Sequence, residues 1–257
     1  MPVLGQCKLC GLDQAALQDS HIVPKWAYKR IRGKAIKGNP HPMHVKDKRA
    51  VTTSMQVTDF LLCSNCEQRI GRVDHYVSTQ CLQTNGTVPL REAPQVIWVS
   101  DDRNFALLDT SSLELDALCR FAISVIWRAH VSAMVPQIDL GTNAESIRAY
   151  LSGETDYPSS VHVAVQTYVE PDGHGSLADH TIILPESHSN GDATAYWFLV
   201  CGLHFEVSVG IPADESILEL CLHCGQTKGV LVGSWRESGA FQNLVVTASE
   251  ALQARRR

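Results

Sequence analysis

No stretch of this 257-residue chain approaches the ~18 uninterrupted apolar residues that a membrane-spanning helix needs, which argues against a membrane partner. The opening Met-Pro-Val-Leu-Gly-Gln-Cys lacks the basic start and apolar run of a secretory signal, so a cytoplasmic home is expected. No repeat of fixed period stands out, which excludes a solenoid or propeller reading. An even cysteine count is also missing: there are nine, and a reducing compartment would keep them as thiols rather than as a disulfide framework. Cysteines at two-residue gaps in that setting point to metal ligation. At 44% hydrophobic and 19% charged residues, the composition is that of an ordinary globular chain.

A strong net charge is absent too, the balance being only −5. Its distribution is uneven. Residues 1–85 hold 12 of the 22 Lys and Arg and 6 of the 27 Asp and Glu, so a basic head precedes an acidic body. Only the head is suited to meet a polyanion.

Asn85-Gly86 and Val88-Pro89 mark a boundary. Before it, the expected elements are a short basic helix within Lys25 to Lys37, a strand from Val51 to Leu62 ending in Phe60-Leu61-Leu62, and a helix from Cys63 to about Cys81. After it, a strand is expected at Val96–Val99 and helices over about 113–152, the first a stripe running from Leu115 to Ala129. Beyond Pro158 the pattern turns to strands: Val161–Val169, Thr181–Leu184, Tyr196–Val200, Phe205–Val209, Leu218–Leu222, Val230–Val232 and Leu244–Val246. The fold class is therefore α+β, with a small module at 1–85 and a helical and β-rich region at 86–257 whose role the residues do not reveal.

Cys7-x-x-Cys10 and Cys63-x-x-Cys66 supply four thiolates in two close pairs. A two-residue gap lets both sulfurs of a pair face one ion, and zinc takes four such ligands in a tetrahedron. Four thiolates leave no open position, so this zinc is expected to be structural. The 52 residues between the pairs exceed ordinary zinc-ribbon spacing, as expected if something functional lies between them. Cys221-Leu222-His223-Cys224 repeats the gap without a second pair. It reads more simply as unliganded thiols on a strand and turn, with His188, His204 or His223 as conceivable helpers. The histidines at 162, 174, 180, 188 and 204 are scattered and carry no constellation.

Between the knuckles, Ser20-His21-Ile22-Val23-Pro24 precedes Leu61-Leu62-Cys63-Ser64-Asn65-Cys66-Glu67. That order, over roughly residues 5–80, resembles the zinc-containing branch of the HNH (ββα-metal) endonucleases, and among them bacterial proteins with an additional C-terminal region. The resemblance implies a ribbon and helix gripping a divalent ion, Mg²⁺ or Mn²⁺, against a scissile phosphate of DNA, with RNA left open as substrate. His21 matches the family's general base, a task that suits an imidazole. The family's Asp before that His is Ser20 here, with Asp19 one residue off; its middle Asn falls on Thr58, beside Asp59; its His after the fourth Cys is Glu67. A carboxylate is a good ligand for Mg²⁺, so His21 and Glu67 are the catalytic candidates, Glu67 also ligating the divalent ion. Asp19, Asp59 and Asp74 stand in reserve. Lys25, Lys29, Arg30, Arg32 and Lys34, interleaved with Trp26 and Tyr28, are candidates for nucleic-acid contact. The resemblance further implies a role in defence against phage or plasmids, with the C-terminal region serving self-association or a regulatory partner. The alternative is a non-catalytic zinc-dependent module that binds nucleic acid or protein through a decayed site.

Overall fold

The computed structural model describes residues 2–32, 43–46, 49–52, 54–92, 96–99, 105–135, 137–170, 177–190, 193–210, 220–225 and 229–234, with single positions at 236, 238, 239, 242 and 246; the structural statements below concern these. Lys34 and the segment Leu244–Val245 lie outside them.

The chain opens on β1 (Val3–Gly5), crosses the first knuckle and forms β2 (Ala15–His21), then α1 (Lys25–Ile31). A separate hairpin, β3 (Met43–Lys46) and β4 (Arg49–Thr52), precedes β5 (Thr58–Cys63), which runs directly into α2 (Ser64–Gln80). The expected single strand ending at Leu62 is thus two strands. β1, β2 and β5 make one antiparallel sheet. Its register shifts between Gln18 and Asp19, leaving Leu61 of β5 as the extra residue opposite. That bulge turns the Leu61 carbonyl to accept from the Lys8 N–H at 2.9 Å, which ties the first knuckle to β5.

After α3 (Pro89–Glu92) come β6 (Val96–Val99) and β7 (Phe105–Asp109), then α4 (Leu115–Val131) and α5 (Ala144–Ser152). Gly153 ends α5 in the left-handed region at φ 78°, its N–H donating to the carbonyls of Ala149 and Tyr150, the role a C-terminal glycine fills without a Cβ penalty. The rest is strand: β8 (Val161–Val169), β9 (Ile182–Asn190), β10 (Ala193–Val200), β11 (Leu203–Val209) and β12 (Gly229–Ser234). They join β6 and β7 in a seven-stranded sheet ordered β6-β7-β12-β8-β11-β10-β9, antiparallel except where β12 meets β8. The strand expected at Leu218–Leu222 is not formed at Leu220–Leu222. The Cys221–Cys224 segment there is a turn, because the two cysteines fold back toward one another.

The apolar stripe of α4 understates its burial. Every residue from Ala117 to Ala129 except Arg120 is buried, including Ser124 and Arg128, so α4 is enclosed on all sides rather than on one. It lies between α2 and the sheet, where Phe121 meets Phe205 and Phe198 with ring centroids 5.2 and 6.0 Å apart. One continuous apolar core runs from Cys7, Leu9 and Ile22 through α4 to Val163, Phe205 and Val230. Among the described residues no helix is long and apolar enough to cross a membrane.

A buried histidine makes the large sheet acid-sensitive. His204 on β11 places Nδ1 2.6 Å from the Tyr168 hydroxyl, while its Nε2 is buried without a hydrogen-bond partner. Burial, helped by the charge of His188, holds its pKa down to about 4. The unfolded chain takes up a proton here below pH ~6.5 and the folded chain does not until about pH 4, so stability falls as pH drops across that window. The expected loss between pH 7 and 4.5 is on the order of 2–3 kcal/mol. Urea midpoints for wild type and His204→Gln at both pH values check this: the variant should lose less stability on acidification, by about that amount.

Candidate metal centre and the residues beside it

Two knuckles close on one point. The sulfurs of Cys7, Cys10, Cys63 and Cys66 all lie within 4.8 Å of one another, and Cys10 Sγ is 3.9 Å from Cys63 Sγ. Zn–S bonds of about 2.3 Å in a tetrahedron put sulfurs about 3.8 Å apart, so the cluster has the dimensions of a four-thiolate zinc site. Local chain geometry explains the convergence. Gly11 sits at φ 72°, and its N–H donates to the Cys7 carbonyl at 2.9 Å, which curls Cys10 back beside Cys7. On the other side, Cys63 is both the last residue of β5 and the residue from which α2 starts, so Cys66 follows in the first turn.

The electrostatics favour a cation. Burial raises the Cys7 thiol, but N–H donors at Cys10, Cys63 and Leu9 outweigh it and bring the thiol down to about 7; the Cys63 N–H lies 3.3 Å from Cys7 Sγ. Burial and the three neighbouring thiols push Cys66 upward. Four thiolates in this space repel one another unless a positive ion sits among them. The four cysteines can therefore hold a metal such as zinc.

This cluster fixes the geometry around His21. Leu17 of β2 pairs with Cys63 of β5, and four residues further along β2 His21 pairs with Thr58. His21 is half-buried. Its Nε2 lies 2.6 Å from the Gln56 amide oxygen, and no described residue bonds its Nδ1. An oxygen acceptor at Nε2 selects the tautomer with the proton there, which leaves the Nδ1 lone pair as the base. Gln56 is absent from the sequence reading because it stands seven residues before Cys63, outside the motif positions.

Glu67, in the first turn of α2, is half-buried, and its Oε1 is buried with no hydrogen-bond partner. An orphaned carboxylate oxygen is costly unless a cation or donor completes it. Asp74, two turns further on, is already committed. Both of its oxygens lie 3.3 Å from the guanidinium of Arg128, which also donates to the His21 carbonyl at 2.9 Å. Burial pushes the Asp74 carboxyl above its ordinary value, Arg128 pulls it back, and the negative charge of Glu67 pushes it up again, so Glu67 and His21 both act on Asp74. Arg128 was legible only as part of the α4 apolar stretch; its role comes from packing across 54 residues. Asp59 accepts from the Ser132 hydroxyl at 2.9 Å and the Ala133 N–H at 3.1 Å, holding the end of α4. Ser20 is buried, and its hydroxyl turns back to the Gln18 carbonyl. Asp19 pairs with Phe60 across the ribbon and is exposed. Of the six acidic or polar positions weighed, Asp19, Ser20, Thr58, Asp59, Glu67 and Asp74, only Glu67 has a buried oxygen without a partner.

Replacing Asp74 by Ala strands the Arg128 guanidinium, whose side chain is 2% exposed, without its anion. The expected cost is about 3 kcal/mol in urea denaturation, and the pair Asp74→Leu with Arg128→Met should recover most of it, because an apolar pair carries no desolvation penalty. A loss under 1 kcal/mol for Asp74→Ala would contradict the ion pair.

The basic helix divides in two. Lys25 and Lys29 are exposed and one turn apart on α1. Arg30 lies over the Trp26 ring at 4.7 Å and donates to the Ser78 carbonyl, while Arg32 donates to the Ser54 carbonyl at 3.0 Å. Those two arginines and Trp26 are engaged within the fold, so among the described residues the free cations of this segment are Lys25 and Lys29. Comparison with family models, curated proteins and solved structures returns no match, and the site is read on its own chemistry.

Proposed function

We propose that residues 1–85 are a zinc-stapled module of the HNH type that cleaves the phosphodiester backbone of DNA with a divalent ion. The observation that supports this most is Glu67: a carboxylate oxygen buried without a partner, on the helix that follows the zinc knuckle, acting on the same Asp74 as a half-buried imidazole with an unengaged nitrogen. With His21 kept as base rather than ligand, one carboxylate is a sparse ligand set. Mg²⁺ suits it, because that ion keeps several waters and is bound through one or two carboxylates plus substrate phosphate. When bound, such an ion neutralises charge building on the phosphate and the leaving oxygen. His21 Nδ1 takes the proton of the attacking water, Gln56 holds the ring, and Lys25 and Lys29 attract the backbone without reading sequence. The rest of the chain supports the site through Arg128 and Asp59, which anchor β2 and β5 to α4.

The test is supercoiled plasmid incubated with the full chain and Mg²⁺ or Mn²⁺, with a chelator control. Metal-dependent nicking is the expected result. Metal-independent retention of the plasmid without cleavage would favour the second reading, a binding module, which the engagement of Asp74 by Arg128 supports.

A further inference from the structure

We propose that His162, Cys221 and Cys224 form a second zinc site, independent of the nuclease reading, whose fourth coordination position is open to exogenous ligand. The three ligand atoms lie within 4.8 Å of one another, with His162 Nδ1 3.3 Å from Cys224 Sγ and the two sulfurs 2.9 Å apart. That sulfur separation is well beyond an S–S bond of about 2.05 Å, and a metal would widen it to about 3.8 Å.

The strongest support is that the chain builds the same turn twice. Cys7-Lys8-Leu9-Cys10-Gly11 and Cys221-Leu222-His223-Cys224-Gly225 share the pattern Cys-x-x-Cys-Gly. In each, the glycine N–H donates to the carbonyl of the first cysteine, at 2.9 Å for Gly11 and 2.8 Å for Gly225. At the second knuckle the Cys224 N–H also points at Cys221 Sγ, 3.4 Å away, as backbone N–H groups do around a liganded thiolate. The knuckle is fixed to the large sheet by the Leu222 N–H, which donates to the Val163 carbonyl at 2.8 Å, and this sets Cys221 and Cys224 beside His162 on β8. Sequence spacing could not show this, because His162 stands 59 residues before Cys221.

Among the described residues the first site has four sulfurs, whereas the second has two sulfurs and one nitrogen. Cys119 on α4 feels both thiols but is not among the groups within ligating distance. His223, between the two cysteines, is also outside that set: its ring stacks on Tyr157 at 3.8 Å instead. A Cys₂His zinc keeps a fourth position for water. Cys224 is exposed, whereas His162 and Cys221 are buried. The fourth position therefore has access to solvent, and a donor entering there displaces the water.

The full chain is purified without chelator and its zinc counted, then released to a colorimetric chelator. Two zinc ions per chain and two release phases of one equivalent each are expected. Cys221→Ser/Cys224→Ser and His162→Ala should each retain one. Cobalt exchanged into the wild type should show visible bands from two tetrahedral sites, and imidazole should shift only the set missing from His162→Ala. One zinc per wild-type chain would overturn the proposal without any variant being needed. A Cys221–Cys224 disulfide in the unreduced protein would also overturn it, and cobalt bands indifferent to imidazole would overturn the open position.

Discussion

Cys63→Ser is expected to abolish the native state of the N-terminal module and to release one zinc ion per chain. Two effects combine. Structural zinc in small domains contributes on the order of 10 kcal/mol of binding free energy that is also folding free energy, comparable to the whole stability of an ordinary domain. Cys63 also joins three elements: its N–H lies against Cys7 Sγ, it pairs with Leu17, and α2 begins at the next residue. Serine keeps these main-chain contacts, so it is the loss of the metal they surround that frees the β2–β5 ribbon at the end away from His21. Because the core runs without a break from Leu9 and Ile22 into α4, the loss should reach beyond the module. Native-state hydrogen exchange reads it, with protection of β2, β5 and α2 falling together. Wild-type protection in a variant that has lost this zinc would show that the thiolates do not hold the fold. Cys221→Ser provides the contrast, since the second knuckle is docked on the sheet through Val163 and leaves the ribbon intact.

His21→Ala should reduce nicking by about 10²- to 10⁴-fold, the range for removing a positioned general base. Its main chain still accepts from Arg128 and pairs with Thr58, so the fold should survive. Glu67→Gln should act differently. An amide is a poorer oxygen ligand for a hard cation, so activity should fall at low Mn²⁺ and recover in part at high Mn²⁺. Gln56→Leu removes the acceptor at Nε2 and frees the ring to take either tautomer, and a smaller loss, about tenfold, is expected. Rates for the three variants under matched metal concentrations separate base, ligand and orienter. Equal nicking by wild type and His21→Ala would remove His21 from the chemistry.

Legibility followed the range of the interaction. The four clustered cysteines could be read from spacing because a two-residue gap has one efficient geometric use, and they lie close enough to hold a metal such as zinc. The helices at 64–80, 115–131 and 144–152 and most C-terminal strands follow from periodicity and from Gly153 as a stop. What escaped notice depends on contacts between distant segments. Gln56 meets His21 across 35 residues and Arg128 meets Asp74 across 54, and neither bears a local signature. The same holds for His162, an unremarkable strand residue until the Cys221 knuckle docks beside it. The basic helix shows the reverse limit. Charge counting treats Arg30 and Arg32 like Lys25 and Lys29, although the arginines are turned to carbonyls and an aromatic ring of their own chain.

We propose that one divalent ion, held by the Glu67 carboxylate at the start of α2, sits beside the His21 imidazole. Titration of the full chain with Mn²⁺, followed by line broadening of the histidine ring resonances, tests it most directly. Broadening of His21 at the lowest Mn²⁺, abolished in Glu67→Gln, is the predicted result. A His21 signal that stays sharp while other histidines broaden would place the ion elsewhere and contradict the account.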